Sequence, residues 1–201
     1  MISVVGMGPG DSRYLTRAAQ QVIDQAEILV GWPRALAAFP DFHGETVTLG
    51  SNLEQLVAWL PQVAARNVVV LASGDPSLYG IGKRLLGALG ADTCRVEPGI
   101  SAVQYLFARI GLDMNDLYLT SSHGKQPDFD FLFLHDKVAL VTDKLIGPFQ
   151  IAAALRERGL SRTLIIGENL SYPDERLHVV QPDEVQTEYD MNVVVVLNER
   201  R

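Results

Sequence analysis

The sequence predicts an α/β protein resting largely on parallel sheet. Short β-rich runs alternate with helical patterns almost throughout, as repeated strand–helix units require. Several runs, such as residues 68–72 and 193–197, are apolar at every position, the mark of strands covered on both faces. Four runs lead straight into turns rich in Gly, Pro and acidic residues, where α/β sheets present ligand loops.

In chain order, residues 2–5 read as a buried strand, and residues 15–26 as a helix with Ala18, Ala19, Val22, Ile23 and Ala26 on one face. Residues 28–30 form the next strand. Residues 51–60 are the clearest helix: Ser51 and Glu54 make a capping-box pattern, and Leu53, Leu56, Val57 and Leu60 recur at i, i+3, i+4 and i+7. Pro61 should end or kink it. Strands follow at 68–72 and 93–96, then a helix over 101–110. Further strands fall at 118–120, 138–141, 163–166 and 192–197. Pro148 suits a first helical turn, and Gly159 closes that helix after Arg158. The polar stretch 111–117 is the expected boundary, giving an N-terminal lobe at 1–112, a linker at 113–117 and a C-terminal lobe at 118–201. No repeat or low-complexity tract interrupts the pattern.

Composition narrows the function. Hydrophobic residues make up 47% of the 201 and charged ones 20%, enough for a real core. Seventeen basic against 24 acidic residues leave a net charge of −7, against a general nucleic-acid binder. One cysteine, Cys94, excludes an internal disulfide and a cysteine-built zinc site, and reads as a small buried hydrophobe. His43, His123, His135 and His178 lack metal-ligand spacing, so no protein-held metal is expected. The start, Met1-Ile2-Ser3-Val4, shows no targeting pattern, and no apolar run nears the ~20 residues of a membrane helix, so a cytoplasmic protein is expected.

The turns carry the chemistry. Gly6-Met7-Gly8-Pro9-Gly10-Asp11 suggests a dinucleotide fingerprint, but Asp11 occupies the third glycine position and Pro9 removes a backbone donor. What survives is a loop that a ligand can approach closely, ending in a carboxylate. Ser73-Gly74-Asp75-Pro76 follows the most apolar strand; Asp75 could meet a ligand hydroxyl or cap the next helix. Glu97-Pro98-Gly99-Ile100-Ser101-Ala102 puts Ser101 at a natural N-cap. Gly167-Glu168-Asn169-Leu170 opens the fourth turn.

In that order, the first three motifs resemble the tetrapyrrole methylases, a family of S-adenosylmethionine-dependent enzymes, over essentially the whole chain. Ser121-Ser122-His123-Gly124-Lys125 and the segment from Gly167 to Arg176 are most similar to its C5-methylating branch in cobalamin biosynthesis, whose members act on precorrin-6Y or cobalt-precorrin-7. The resemblance implies a class III methyltransferase fold, two α/β lobes with the cofactor in the cleft between them. It implies cofactor contacts at Gly74, Asp75, Leu78, Ser101, Ala102, Thr142, Gly167 and Glu168. It sets Gly8 and Pro9 on the tetrapyrrole side and makes Asp11 and His123 the candidates for proton transfer. Corrin precursors carry many carboxylates, so Arg13, Lys83, Arg84 and above all Lys125 are the cations expected to meet them. A homodimer is implied, as is a separate enzyme for C15 methylation and decarboxylation. Rival readings are a methylase for uroporphyrinogen, another corrin carbon or a protein side chain, and a non-catalytic module binding S-adenosylmethionine or a tetrapyrrole. A nicotinamide oxidoreductase fails on Pro9 and Asp11.

Overall fold

The structure, a computed structural model, describes residues 1–50 and 52–198. It divides into two compact units, Met1–Ser101 and Ala102–Arg201. The first holds β1 (Ile2–Gly6), β2 (Ile28–Gly31), β3 (Glu45–Thr48), β4 (Val68–Ala72) and β5 (Cys94–Glu97) in the order β3-β2-β4-β1-β5. Every pairing in this sheet is parallel. Ile2, Val4, Val30, Val70 and Cys94 point into one apolar cluster, and Val5, Leu29, Val69 and Leu71 into another. Both faces are therefore covered, and the strands read as unbroken apolar runs for that reason. Burial also pushes the Cys94 thiol pKa up, as for an inert core residue.

The helices α1 (Arg17–Asp24), α2 (Pro33–Leu36), α3 (Leu53–Trp59) and α4 (Gly82–Leu89) complete this unit. In α1, Ala19 and Ile23 are buried while Ala18 is exposed. Ser51, expected to cap α3, lies outside the described residues; Asn52 is the N-cap, accepting from the N–H groups of Glu54 and Gln55. Pro61 ends the α-helical geometry, and a 3-10 turn over Leu60–Val63 follows.

The second unit holds β6 (Tyr118–Ser121), β7 (Lys137–Val141), β8 (Thr163–Glu168), β9 (Arg176–Val180) and β10 (Asn192–Leu197) in the order β6-β7-β10-β8-β9. Here the expectation of largely parallel sheet needs correction. Only β6 and β7 pair parallel; β10 runs antiparallel between β7 and β8, and β9 antiparallel beside β8. Hydropathy reports burial, and a strand buried in mid-sheet reads the same in either direction. Its helices are α5 (Ala102–Ile110), α6 (Phe129–Leu132) and α7 (Pro148–Glu157). Gly159, at φ +61°, ends the last of these, and the Leu160 N–H donates back to the Leu155 carbonyl. Helix α5 falls in the second unit, where Val103, Leu106 and Phe107 are buried and Leu106 reaches the β8 residue Gly167.

Candidate active site

In the first unit, the turns after β1, β4 and β5 interlock at the carboxyl edge of the sheet. The Met7 N–H donates to the Ala72 carbonyl at 2.9 Å, and Gly8 and Gly74 exchange backbone hydrogen bonds of 3.3 and 2.8 Å. A Cβ on Gly6 would stand 2.6 Å from the Gly99 nitrogen, and one on Gly99 only 2.2 Å from the Gly74 oxygen. Three turns thus meet backbone to backbone, and glycine is what allows it. Asp75 joins two of them: its carboxylate accepts from the Ser77 N–H at 2.7 Å and from the Gly99 N–H at 3.1 Å. That carboxylate is an internal strut. Its half-buried neighbours are braced through main chain as well, the Leu78 N–H donating to the Asp75 carbonyl at 3.1 Å.

Gly8 and Pro9 are buried, while Asp11 caps the 3-10 turn Ser12–Tyr14. Its carboxylate accepts from the Arg13 N–H at 2.8 Å and from the Arg13 guanidinium Nε at 3.0 Å. The Arg13 side chain, first among these influences, holds the Asp11 carboxyl below the usual carboxylate range. Asp11 is accordingly a weak base, and Arg13 is already engaged. Ser101 is buried at the end of this unit.

In the second unit, the register aligns Ser121 with Val141, Val141 with Val193, and Glu168 with both Asn192 and Arg176. The expected site residues therefore share one edge of the sheet. The Ser122 hydroxyl donates to the Ile146 carbonyl at 2.7 Å, and the Ser121 hydroxyl accepts from the His123 N–H at 3.0 Å. Asp143, not singled out in the sequence, organises the facing turn by accepting from the N–H groups of Gly124, Leu145 and Ile146, each at 2.9 Å. Those backbone bonds lower its pKa, and His123 contributes through its charge. The His123 and Lys125 side chains are exposed in this loop.

Thr142 gives its hydroxyl to Asn192, 2.8 Å from the carbonyl and 2.7 Å from the side-chain oxygen. Glu168 is 3% exposed, and its carboxylate accepts from the Asp190 N–H at 2.6 Å and pairs with Arg176 and His178, each at 3.0 Å. Burial alone would raise its pKa; the Asp190 N–H, His178 and Arg176 outweigh it and hold the carboxyl below its ordinary value. Glu168, like Asp75, braces the edge through its side chain. Gly167 is packed close: a Cβ there would come within 2.7 Å of Leu170 and 2.8 Å of Leu106.

Residues that the sequence did not single out complete the edge. Glu175 binds Tyr105, Arg109 and Ser171, while Asn169 reaches Asp174 and, at 3.4 Å, Asp190. Glu175 falls within the fourth motif, but its partners on α5 lie about seventy positions away and leave no local signal. Among the described residues, no three His, Cys, Asp or Glu side chains form a group that could hold a metal. No helix among them is long and apolar enough to cross a membrane. An open depression of about 450 Å³, bordered by Leu134, Arg158, Arg162 and Asn198, lies toward the opposite edge of the second sheet, where β7 begins and β10 ends.

The sequence profile of the tetrapyrrole (corrin/porphyrin) methylases matches residues 1–186. The chain is 49% identical over 201 residues to the cobalt-precorrin-7 C(5)-methyltransferase of Salmonella typhimurium strain LT2, covering 100% of both. It is 30% identical over 180 residues to the precorrin-6Y C(5,15)-methyltransferase [decarboxylating] of Sinorhizobium sp, covering 88% of this chain and 44% of that protein. The crystal structure of uroporphyrin-III C-methyl transferase from Thermus thermophilus, complexed with S-adenyl homocysteine, matches with a TM-score of 0.77 at 25% identity, covering 98% of this chain and 97% of that one.

Proposed function

Because the chain belongs to the tetrapyrrole (corrin/porphyrin) methylase family, we propose that it methylates C5 of cobalt-precorrin-7 with S-adenosylmethionine, in cobalamin biosynthesis. The observation that carries this reading is the 49% identity to a C5-methyltransferase over the full length of both chains.

When bound, S-adenosylmethionine supplies a methyl group already activated on a sulfonium, which an electron-rich carbon of the macrocycle can take in line. The protein therefore has to bind, orient and shield, and needs no nucleophile of its own. Its residues suit such a ligand. The half-buried turn of Gly74, Asp75 and Leu78 stands at the carboxyl edge of the first sheet, braced by its own backbone bonds, and the Asp75 and Glu168 carboxylates are satisfied internally. On this reading Gly74, Asp75, Leu78, Ser101, Ala102, Thr142, Gly167 and Glu168 line the cofactor, mostly through backbone. Gly8 and Pro9 shape the loop on the substrate side. Asp11 and His123 are the two proton-transfer candidates, and the Arg13 side chain weakens Asp11 as a base. Lys125, exposed in the same loop, meets a substrate carboxylate. A separate enzyme carries out the C15 chemistry, a view supported by the 49% identity to a relative named for C5 methylation alone. The enzyme works as a cytoplasmic homodimer, testable by sedimentation and cell fractionation.

The deciding experiment is transfer of a carbon-13 methyl from S-adenosylmethionine to cobalt-precorrin-7, with the product read by mass spectrometry and NMR. One new methyl at C5 is expected. No transfer to cobalt-precorrin-7, with clear transfer to metal-free precorrin or uroporphyrinogen, would overturn the substrate assignment. Lys125→Ala should raise the substrate KM about three- to tenfold and flatten its salt dependence, leaving the KM for S-adenosylmethionine unchanged.

A further inference from the structure

The turn after β8 contains two non-glycine residues in the left-handed region, Asn169 at φ +48° and Ser171 at φ +67°. Serine rarely adopts that conformation, and such geometry persists only where its surroundings enforce it. Part of the enforcement is local: the Asn169 side chain donates to Asp174 at 2.7 Å, and the Tyr172 N–H to the Asn169 carbonyl at 3.0 Å. The rest converges on one carboxylate. Glu175, its side chain 13% exposed, accepts from the Ser171 N–H at 2.6 Å and from the Tyr105 hydroxyl at 2.6 Å, both on Oε2. Its Oε1 accepts from Arg109 Nε at 2.8 Å. Tyr105 and Arg109 stand on α5, and Tyr105 is one turn after Ala102, where that helix begins.

A single side chain thus ties the strained backbone that follows Gly167 and Glu168 to the first two turns of the helix that opens at Ala102. We propose that Glu175 is a positioning residue for cofactor binding: it fixes the turn at 169–171 and the start of α5 in the one arrangement that receives the S-adenosyl group. The proposal rests on the reading above in which Ala102, Gly167 and Glu168 contact the cofactor. Glu175 itself touches no reacting atom; it acts through the main chain of Ser171 and through Tyr105.

The test is calorimetric binding of S-adenosylhomocysteine to the full chain, with the KM for S-adenosylmethionine and kcat measured alongside. Glu175→Ala should weaken binding and raise that KM about tenfold or more, while kcat at saturating cofactor stays within about twofold. Tyr105→Phe removes one donor, keeps the ring, and should weaken binding about threefold; Glu175→Gln keeps an acceptor for Ser171 and should fall between them. These milder variants decide the matter if Glu175→Ala does not fold. Val30→Ala, a core change in the first unit, controls for lost stability and should lower Tm with affinity unchanged. Wild-type affinity in Glu175→Gln and Tyr105→Phe, or an equal loss in Val30→Ala, would overturn the proposal. A wild-type chain that does not bind S-adenosylhomocysteine would overturn it together with its cofactor premise. If the affinity losses hold but no methyl reaches cobalt-precorrin-7, the substrate assignment fails and the role of Glu175 stands.

Discussion

A methyl group added at Gly99 would stand 2.2 Å from the Gly74 carbonyl oxygen, and 2.9 Å from two backbone atoms of Gly6, none of them the end of a flexible side chain. Gly99→Ala should therefore destabilise the protein by about 3 kcal/mol, read as a lower urea midpoint. Gly87, exposed within α4 and with no atom within 4 Å of where a Cβ would stand, is the counterpart: Gly87→Ala should gain about 0.5–1 kcal/mol by restricting the unfolded chain. An outcome in which both glycines behave alike would refute the interlocked turns. Asp75 belongs to the same junction. Asp75→Ala strands the N–H groups of Ser77 and Gly99 and should cost about 1–3 kcal/mol in the same assay, whether or not cofactor is present. The Gly-rich motifs were plain in the sequence as candidate ligand loops. Their packing, turn on turn, was not, because it joins positions that are far apart along the chain.

At the level of elements, the carboxyl edge of the second sheet is held by one buried carboxylate, Glu168, and one half-buried, Glu175. For Glu168 and for Glu175, burial favours the neutral acid, but hydrogen bonds and nearby cations prevail and keep both pKa values below normal. On unfolding they return toward the ordinary glutamate value of about 4.3, so the unfolded chain binds more protons between the folded and unfolded values. Stability from this network is complete above that window and is lost as pH falls through it. Tm should be nearly flat above about pH 6 and fall steeply below about pH 4.5, and Glu175→Gln should start lower at neutral pH and lose less on acidification. An acid loss identical in variant and wild type would count against the network. The strands that periodicity missed, β3 and β9, are both edge strands with mostly exposed residues. A strand with one free edge and one wet face has no continuous apolar run to announce it. The buried strands, by contrast, were legible to within two residues at either end.

For the whole molecule, ligand linkage supplies the broadest test. S-adenosylhomocysteine at 100 times its Kd should stabilise the folded chain by about 2.7 kcal/mol, a rise in Tm of several degrees at this size, with NAD giving no shift. Two α/β units, their strand order of appearance, the buried cysteine and the family resemblance were all determined by the sequence alone. Each depends on local apolar pattern or on short motifs, and such signals are written in contiguous residues. Strand direction in the second sheet, the assignment of α5 to the second unit, and the commitment of the Asp11, Asp75, Thr142 and Glu168 side chains to neighbours were decided only by tertiary structure. Hydropathy records how deeply a residue is buried and not which partner it meets, so a carboxylate bound to a distant N–H and one open to a ligand look the same until the chain is folded.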